Sequence, residues 1–501
     1  MEEVIEKYDV IADGITVEIG ILGGKGRLSK YKIKLPDFSA PTLALLDEVK
    51  HELLIEVSIS TTEILDPKAI IELKEKFRKK AIALLEKHIP GIKEESKRYL
   101  AGRLMQEMLG LGKIEFLLND INLEEIVINS IQEPIRVYHK TYGWLLTDLV
   151  VETEAQIQNY SNIIARRVGR QINTLNPLLD AHLVTGDRAN AVLYPIANKG
   201  NTITIRKFSR DPWTVTDLIK NNTVNSEIMA LIWLAMEYEM NILISGGTAS
   251  GKTSLLNVCL PFIPPNHRIL TIEDTRELVL PKFLYWCPLV TRQPNPEGKG
   301  EVTMLDLLIN SLRMRPDRII LGEIRRKRDA EVLFEAMHTG HSVYATVHAD
   351  TIFQTIKRLV NPPIEVPPNL LEAVNLNVVM FRDRRRGLRR VYQVGEYLTS
   401  ESELVSEIKP NILYRWDPAK DKIVIHQTSR RLFEDLARHT GLSLTELNKN
   451  LAFKTNILGW MVKNNIRNID EVGHVMNEYY LDSATIEKLV RGNKKPKELL
   501  K

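Results

Sequence analysis

The spacing of hydrophobic and polar residues changes along the chain and predicts where strands give way to helices. Residues 8–36 alternate between apolar and polar positions, which is typical of short β-strands. Apolar residues then recur at helical spacing over 68–88 and over about 94–109. The first of these helices is expected to begin at Pro67, with Asp66 as its N-cap. This part of the chain is predicted to be a small β region followed by helices.

The rest of the chain contains both the alternating spacing of strands and the helical spacing. Between 111 and 208, strand-like runs precede and follow a helical pattern at about 154–169, which predicts an α+β domain. From residue 226 the order strand, loop, helix repeats, and this alternation predicts a doubly wound α/β domain with a mostly parallel sheet. The predicted division is 1–110 as an N-terminal extension, 111–208 as the α+β domain, 209–225 as a linker or hinge, 226–398 as the α/β domain and 399–501 as a mostly helical C-terminal extension.

Composition narrows the class of protein. The 68 basic and 64 acidic side chains leave a net charge of +4, which is too small to indicate a nucleic-acid-binding protein. The two cysteines, Cys259 and Cys287, are too few for a disulfide scaffold and favour a reducing, cytosolic compartment. We expect no signal peptide, because residues 1–10 are acidic and lack an apolar core. We expect no membrane-spanning helix either, because glutamates interrupt the apolar run 228–244.

The strongest chemical signal is a glycine-rich loop between a strand and a helix. An apolar strand pattern over 241–245 leads directly into GGTASGKT, and a helical pattern follows from 254. Glycines let successive backbone N–H groups curl around a phosphate, and the N-terminus of the helix adds its positive dipole end. We therefore expect Lys252 to contact the β- and γ-phosphates and the Thr253 hydroxyl to bind Mg²⁺. The residues expected to bind ATP are Gly246, Gly247, Thr248, Ala249, Ser250, Gly251, Lys252, Thr253 and Ser254.

Carboxylates at the ends of two later strands indicate that the bound nucleotide is hydrolysed. One apolar strand pattern ends in Glu273 and Asp274, and a second, RIIL, is followed by Gly322 and Glu323. In open α/β sheets this strand edge is where nucleotides bind. A carboxylate there can orient or deprotonate the attacking water, or hold the magnesium shell. Many P-loop proteins have an aspartate at the end of the second strand, whereas here a glutamate follows a glycine.

The segment 337–350 is rich in histidine, with His338, His341 and His348. The spacing HxxH followed by a third histidine makes a zinc site one alternative. The apolar pattern SVYATV between His341 and His348 is that of a buried strand, which would separate the two along the chain. A polar sensor of the nucleotide state is therefore favoured over a metal site.

The order of these segments resembles that of the type II/type IV secretion ATPases. GGTASGKT, TIEDTRE, LGEIR and TGHSVYATVHA look like the Walker A, Asp box, Walker B and His box of that family. The Walker B of the family also carries a glutamate. Earlier segments, among them GDRANAVLYP and TITIRKFSR, resemble its N-terminal domain, so the likeness covers about 110–400. The segments IEDTREL, IPPN and IEVPPN are most similar to its archaeal branch.

The resemblance implies a RecA-like P-loop ATPase domain behind the α+β domain, with ATP and Mg²⁺ as its ligands. An arginine suits the stabilisation of a transferred phosphate, because its fork spreads positive charge over the phosphate oxygens. The implied site residues are Glu273, Asp274 and Glu277 as Asp-box carboxylates, the first two at Mg²⁺; Glu323 as the Walker B glutamate; His341 and His348 as His-box residues facing the nucleotide; and Arg188 and Arg206 as arginines that reach the γ-phosphate.

The resemblance also implies an assembly and a task. The family works as a homohexameric ring at the cytoplasmic face of the membrane, on a polytopic platform protein and indirectly on pilin-like subunits. The implied task is assembly of a type IV pilus-like filament, an archaellum or a type II secretion pseudopilus, with retraction as an open variant. A hinge near Arg210, Asp211 and Pro212 would let ATP binding and hydrolysis open and close two domains. Two alternatives stay open: a nucleic-acid translocase or conjugation-type motor with the same core, and a non-hydrolysing nucleotide switch.

A basic segment lies near the end of the α/β domain. Residues 381–391 read FRDRRRGLRRV between two apolar runs, which predicts a β-hairpin that turns near Gly387. Such a hairpin could bind nucleic acid, anionic lipid headgroups or an acidic partner loop, or it could be a solvated turn. Among the binding functions, a membrane surface or a membrane partner is favoured. The arginines of the segment are Arg382, Arg384, Arg385, Arg386, Arg389 and Arg390.

Overall fold

The structure, a computed structural model, describes residues 3–23, 29–36, 39–56, 67–183, 186–208, 211–294, 297–402 and 405–494. The chain divides into two compact units, Met1–Arg210 with Asn295–Lys299 and Asp211–Pro294 with Gly300–Lys501. Each unit is built around a sheet of nine described strands. Two sequence expectations fall outside the described residues: Asp66 as a helix N-cap, and Ser209 with Arg210 as part of the hinge.

The first unit combines a largely antiparallel sheet with helices. The predicted helices over 68–88 and 94–109 are confirmed almost residue for residue. The strand order in the sheet is β1-β2-β3-β6-β5-β4-β9-β8-β7. The strands are β1 (Glu3–Ala12), β2 (Ile15–Gly23), β3 (Lys30–Lys34), β4 (Leu123–Ile128), β5 (Arg136–His139), β6 (Gly143–Thr147), β7 (Leu178–His182), β8 (Arg188–Val192) and β9 (Thr202–Arg206), and the helices are α1 (Ala40–Glu56), α2 (Pro67–His88), α3 (Glu94–Leu109), α4 (Ile114–Asn119) and α5 (Glu154–Arg167).

The sheet of the first unit runs across the predicted boundary at residue 110. β3 pairs in parallel with β6, with Lys30 opposite Leu146, so the N-terminal strands and the α+β domain share one sheet. The physical reason is burial. Ile15, Val17 and Ile19 are almost fully buried, in the same hydrophobic cluster as the later strands. A separate N-terminal β region of this size would leave that apolar face in water.

The second unit begins at Asp211 and holds the glycine-rich loop. Its strand order is β12-β11-β13-β14-β10-β15-β16-β17-β18. The strands are β10 (Ile242–Gly246), β11 (Arg268–Glu273), β12 (Tyr285–Val290), β13 (Arg318–Leu321), β14 (Ser342–Val347), β15 (Leu376–Asp383), β16 (Leu388–Ser402), β17 (Val405–Asp417) and β18 (Lys422–Ile425). The α-helices are α6 (Val215–Lys220), α7 (Ser226–Glu237), α8 (Lys252–Cys259), α9 (Met304–Ser311), α10 (Lys327–His338), α11 (Ile352–Val360), α12 (Leu432–Thr440), α13 (Leu444–Lys463), α14 (Ile469–Leu481) and α15 (Ser483–Arg491), with 3₁₀ turns at Leu260–Phe262 and Pro368–Ala373.

The sheet of the second unit confirms the predicted fold class. The strands from β12 to β15 pair in parallel, and hydrophobic clusters cover the sheet on both faces. β10, β11, β13 and β14 are almost wholly buried, which accounts for the continuous apolar runs in the sequence. The basic segment forms the predicted hairpin, with β15 antiparallel to β16 and Gly387 at a φ of +68° in the turn.

The sheet continues past the predicted end of the domain at 398. β16 runs to Ser402, and β17 and β18 add a further antiparallel meander, so the helical region starts only at Leu432. The two parts are joined by the buried carboxylate of Glu396, which lies in β16. It accepts hydrogen bonds from Asn411 Nδ2 at 2.7 Å and Ser429 Oγ at 2.9 Å. It also accepts the backbone N–H groups of residues 430–432, where α12 begins.

The C-terminal helices pack on α7 through aromatic side chains. Trp233 stacks on Phe262 with ring centroids 5.3 Å apart and donates its indole N–H to Tyr480 at 3.0 Å. Lys454 of α13 is fully buried and lies 2.6 Å from Glu237, with its ammonium over the Trp233 ring. The helical C-terminal region is therefore part of the core of the second unit. Among the described helices, none has the length and apolar character needed to cross a bilayer.

Candidate nucleotide-binding site

The glycine-rich loop leaves the sheet at its centre. β10 lies between β14 and β15 and is parallel to both, with Ser245 opposite Val347 on one side and Val379 on the other. The loop therefore emerges at the carboxyl ends of the parallel strands, and α8 begins directly after it at Lys252. This is the edge at which an open parallel sheet binds its ligand, with the helix N-terminus facing the loop.

The backbone of the loop depends on glycine at three positions. Gly246 has a φ of +156° and Gly251 a φ of +96°, conformations that other residues rarely adopt. A Cβ on Gly247 would lie 2.7 Å from Oδ1 of Asp350, so glycine there permits a close approach. Ala249 has a φ of +58° although it is not a glycine. Such strain persists only where the surrounding structure holds it, and it concentrates at ligand-binding sites.

A buried polar network supports the loop from beneath. Oγ of Ser245, the residue before Gly246, accepts hydrogen bonds from Thr355 Oγ1 at 2.9 Å and from Asn377 Nδ2 at 2.8 Å. Asn377 also donates to the carbonyl of Leu243 at 3.0 Å and accepts from the Tyr397 hydroxyl at 3.2 Å. Because Ser245, Thr355 and Asn377 are fully buried, these bonds fix the end of β10 relative to its neighbours.

Lys252 lies in the loop, within electrostatic range of two of the predicted carboxylates. Its ammonium donates to the carbonyls of Gly246 at 2.8 Å and Gly247 at 3.0 Å. Burial lowers the pKa of Lys252 below its usual range, and attraction by Glu323, Asp350 and Glu277 partly offsets that shift. The structure thus brings two sequence-predicted carboxylates, Glu323 and Glu277, together with the P-loop lysine. The structure also places Asp350, which follows β14, at this edge. Asp350 was not predicted, although it is a carboxylate after a buried strand, which is the same signal that indicated Glu323.

Glu273 lies at the end of β11 in a buried position. Its Oε1 accepts the backbone N–H groups of Glu277 at 2.9 Å and Leu278 at 3.2 Å. Burial raises the pKa of Glu273 to about 7, and these two hydrogen bonds act in the opposite direction. Its Oε2 is buried and has no hydrogen-bond partner in the described structure. A buried carboxylate oxygen of this kind would be satisfied by a hard cation or its water shell, so Glu273 and the Thr253 hydroxyl fit the oxygen donors that Mg²⁺ prefers.

Arg325 links two of the predicted carboxylates, Asp274 and Glu323. Its Nη1 lies 2.5 Å from Oδ2 of Asp274, and its Nε lies 2.9 Å from Oε2 of Glu323. The guanidinium fork therefore holds the ends of β11 and β13 together at the loop edge. Arg325 was not predicted as a site residue, although it closes the LGEIR segment. Its role becomes visible only when neighbouring strands are paired in space.

The histidine segment is divided by β14. His348 follows the last residue of β14 and lies at the loop edge of the sheet, whereas His341 precedes the first residue and lies at the opposite edge. Six residues of strand span about 20 Å, so the expectation that His341 faces the nucleotide held by this chain is not met. His338 lies within hydrogen-bond distance of the carbonyl of Leu370 at 3.2 Å. In the described part of the chain, no cluster of three potential metal ligands includes these histidines.

The two predicted arginines lie in the first unit. Arg188 begins β8 and Arg206 ends β9, and the two are directly opposite each other in the antiparallel pair. Neighbouring strand residues in this register project from the same face of the sheet. Arg188 makes a two-pronged ion pair with Asp180, at 3.0 Å from Nε and 2.7 Å from Nη2. Contact of either arginine with a phosphate stays a prediction.

Comparison with known proteins relates this site to a family. The family described as Type II/IV secretion system protein matches residues 156–383. The uncharacterized protein MJ0900 of Methanocaldococcus jannaschii is 37% identical over 385 residues, which are 75% of this chain and 69% of that protein. The type IV secretion system protein VirB11 of Bartonella henselae is 30% identical over 286 residues, 50% of this chain and 78% of that protein. Among solved structures, the ATPase DotB of Yersinia pseudotuberculosis is 17% identical and covers 81% of this chain and 96% of its own, with a TM-score of 0.42.

The matched residues 156–383 contain the glycine-rich loop and every carboxylate that the structure places around it. The likeness therefore extends over the whole of the candidate site in the second unit. Since both sequence relatives are at least 30% identical to the chain over more than two thirds of their own length, the chain belongs to the type II/IV secretion system protein family.

Proposed function

We propose that this protein hydrolyses ATP in a Mg²⁺-dependent reaction at the loop 246–254. The observation that carries the proposal is the position of Glu323, Asp350 and Glu277 at the loop edge, near enough to attract the ammonium of Lys252. For phosphate binding alone, the lysine and the backbone N–H groups of the loop would be sufficient. Carboxylates on the same edge supply what hydrolysis needs in addition, a group that orients or deprotonates water.

The residues divide the work according to position. Lys252 and the loop N–H groups would hold the β- and γ-phosphates, and Thr253, Glu273 and Asp274 would hold the magnesium shell. Magnesium, when bound, neutralises charge on the phosphate oxygens. Glu323 orients the attacking water, and Arg325 holds its carboxylate in place through a hydrogen bond of 2.9 Å. Arg325 touches Glu323 rather than the substrate, and is therefore a positioning residue.

A comparison of two variants with the wild-type protein tests hydrolysis. Glu323→Gln keeps the shape of the side chain but removes its charge, so we expect ATP binding by calorimetry to persist while phosphate release falls to background. Lys252→Ala should lose binding and turnover together. Wild-type turnover that survives in Glu323→Gln would contradict the assigned role. A wild-type protein that binds ATP with no turnover, alone or with its membrane partner, would support the non-hydrolysing switch instead.

On a larger scale we propose a ring motor for filament assembly or secretion. Membership of the type II/IV secretion system protein family supports a homohexamer, a cytoplasmic location at the membrane face and a polytopic membrane partner that handles pilin-like subunits. Arg188 and Arg206 would reach the γ-phosphate, with movement at the linker opening and closing the site. Light scattering with and without nucleotide measures the molar mass and so tests whether the protein is a hexamer. Co-purification with membrane proteins, compared between the wild-type protein and Arg188→Ala, tests whether a membrane partner binds.

A conjugation-type motor acting on nucleic acid is the second candidate. It is favoured by one feature, the exposed arginines Arg384 and Arg385 at the turn of the β15–β16 hairpin. Electrostatic binding to a phosphate backbone weakens steeply as salt rises. Stimulation of ATP turnover by DNA that disappears between low and moderate salt, and also in Arg384→Ala with Arg385→Ala, would therefore support this candidate over filament assembly.

A further inference from the structure

The six arginines of the β15–β16 hairpin do not form one surface. Arg390 is buried and holds both carboxylate oxygens of Asp421 at 2.8 Å, so it is a structural residue. Arg386 lies 3.6 Å from Asp383 within the turn. Arg384 and Arg385 are exposed at the tip. Arg389 differs from all of these, because it is directed at the glycine-rich loop.

Arg389 contacts the loop through two parts of its side chain. Its Nε donates to the carbonyl of Ala249 at 3.3 Å. Its Cδ would lie 3.5 Å from a Cβ on Gly251, so the stem runs along the glycine backbone. The terminal nitrogens Nη1 and Nη2 have no hydrogen-bond partner within the described residues. The exposed guanidinium of Arg389 is thus held against the loop through Nε, while its two terminal nitrogens and its flat face stay available to a ligand.

The strand order indicates which end of a nucleotide Arg389 would meet. β10 has β14 on one flank and β15 on the other. The carboxylates of Glu323 and Asp350 come from the flank of β13 and β14, and the terminal phosphate must face them for hydrolysis. Arg389 comes from β16, on the opposite flank. A nucleotide lying across the loop would therefore present its nucleoside end to Arg389.

We propose that Arg389 stacks its guanidinium plane on the base of the bound nucleotide and thereby contributes to its recognition. Arginine planes stack on aromatic rings, and a larger ring offers more area for stacking. The bond to Ala249 fixes one edge of the guanidinium, so little side-chain freedom remains to be lost on binding. This inference rests on the proposed binding of ATP at the loop.

Calorimetry with ATP and UTP tests the inference without measuring turnover. The wild-type protein should bind the purine nucleotide more tightly. Arg389→Ala should weaken ATP binding by about tenfold and UTP binding much less, in line with stacking energies of single bases. Arg389→Lys should behave like the alanine variant, because an ammonium keeps the charge but lacks the plane. The matched control is Arg385→Ala in the same hairpin, which should leave both affinities unchanged.

Each other outcome overturns the stacking assignment. Equal loss of ATP and UTP binding in Arg389→Ala, with recovery in Arg389→Lys, would place the cation on phosphates. Unchanged affinities, or a wild-type protein without purine preference, would remove Arg389 from base recognition. Failure of the wild-type protein to bind either nucleotide would instead refute the proposed function, so the two failures are distinguishable.

Discussion

Arg325 holds Oε2 of Glu323 with two nitrogens, Nε at 2.9 Å and Nη2 at 2.8 Å. The two residues are only two positions apart, and the same guanidinium reaches across to Asp274 on the neighbouring strand end. The carboxylate that we propose orients the attacking water is therefore held by a neighbouring guanidinium. In the proposed reaction, Arg325 would act through Glu323 without touching the nucleotide.

The first prediction concerns that arginine. Arg325→Ala frees both carboxylates to rotate, and we expect kcat for ATP hydrolysis to fall by about 10- to 100-fold, the range for partners that orient site ligands. The Kd for ATP should stay unchanged, because the loop and Lys252 are untouched. Steady-state kinetics and calorimetry separate the two effects. Arg328→Ala, an exposed arginine on α10, is the control and should leave kcat unaltered.

The second prediction concerns the contact between Gly247 and Asp350. A methyl group on Gly247 would meet the Asp350 carboxylate at 2.7 Å, so Gly247→Ala displaces that carboxylate. Gly247→Ala and Asp350→Ala should each lower kcat/KM, and the double variant should be no worse than the poorer single variant. A double-mutant cycle measures this coupling. Fully additive losses would show that the two residues act independently.

The third prediction concerns pH. Burial raises the pKa of Glu273 to about 7 from a usual value of 4.5, so folding favours its protonated form. Its contribution to stability is fully present below pH 4.5 and is lost as pH rises through 7, an effect on the order of 3 kcal/mol. Glu273→Gln cannot titrate. The Tm of the variant minus that of the wild-type protein should therefore be more positive at pH 8 than at pH 5.

A matched variant makes that comparison specific. Glu335→Gln removes an exposed carboxylate of α10, and its Tm should follow the wild-type pH dependence. If Glu273→Gln showed the same pH dependence as the wild-type protein, Glu273 would not be protonated in the folded state. The acid at the end of β11 would then be ionised throughout.

The fourth prediction concerns the network beneath the loop. Asn377→Leu removes an amide that donates to Leu243 and Ser245 and accepts from Tyr397, so the buried Tyr397 hydroxyl loses this partner and Ser245 keeps only its bond from Thr355. We expect a loss of about 2–4 kcal/mol in the free energy of unfolding, because each unsatisfied buried group costs about 1–3 kcal/mol. Denaturant unfolding of the variant measures it. Asn361→Ala, at the exposed end of α11, should cost far less.

Local patterns in the sequence were sufficient to predict the central residues of the candidate site. The glycine-rich loop, Glu273 and Glu323 each adjoin a continuous apolar run, and such runs specify buried strands without knowledge of their partners. The helices α2 and α3 were predictable for the same reason, since their periodicity is contained within each segment. The alternation of strand and helix also predicted the mostly parallel sheet, whose strand order is known only from the structure.

The residues that were missed depend on contacts between distant segments. β7 and β12 lie at sheet edges and lack a clear alternating pattern, so their sequences carry little strand signal. The pairing of β3 with β6 joins residues more than a hundred positions apart. Arg325 and Arg389 are ordinary surface arginines in the sequence, and only the packed strands place one between two carboxylates and the other on the loop. His341 and His348 are close in sequence, but β14 runs between them and places them at opposite edges of the sheet.

The buried carboxylate of Glu396 has a consequence for the order in which the second unit is completed during synthesis. β16 leaves the ribosome before residues 429–432, which supply most of the hydrogen bonds to that carboxylate. Until they emerge, closing the sheet over Glu396 would bury a carboxyl group that has Asn411 but lacks its hydrogen bonds from residues 429–432, which is unfavourable. The nascent chain should therefore keep this corner of the sheet open and reach a protease-resistant state only when translation has passed the start of α12.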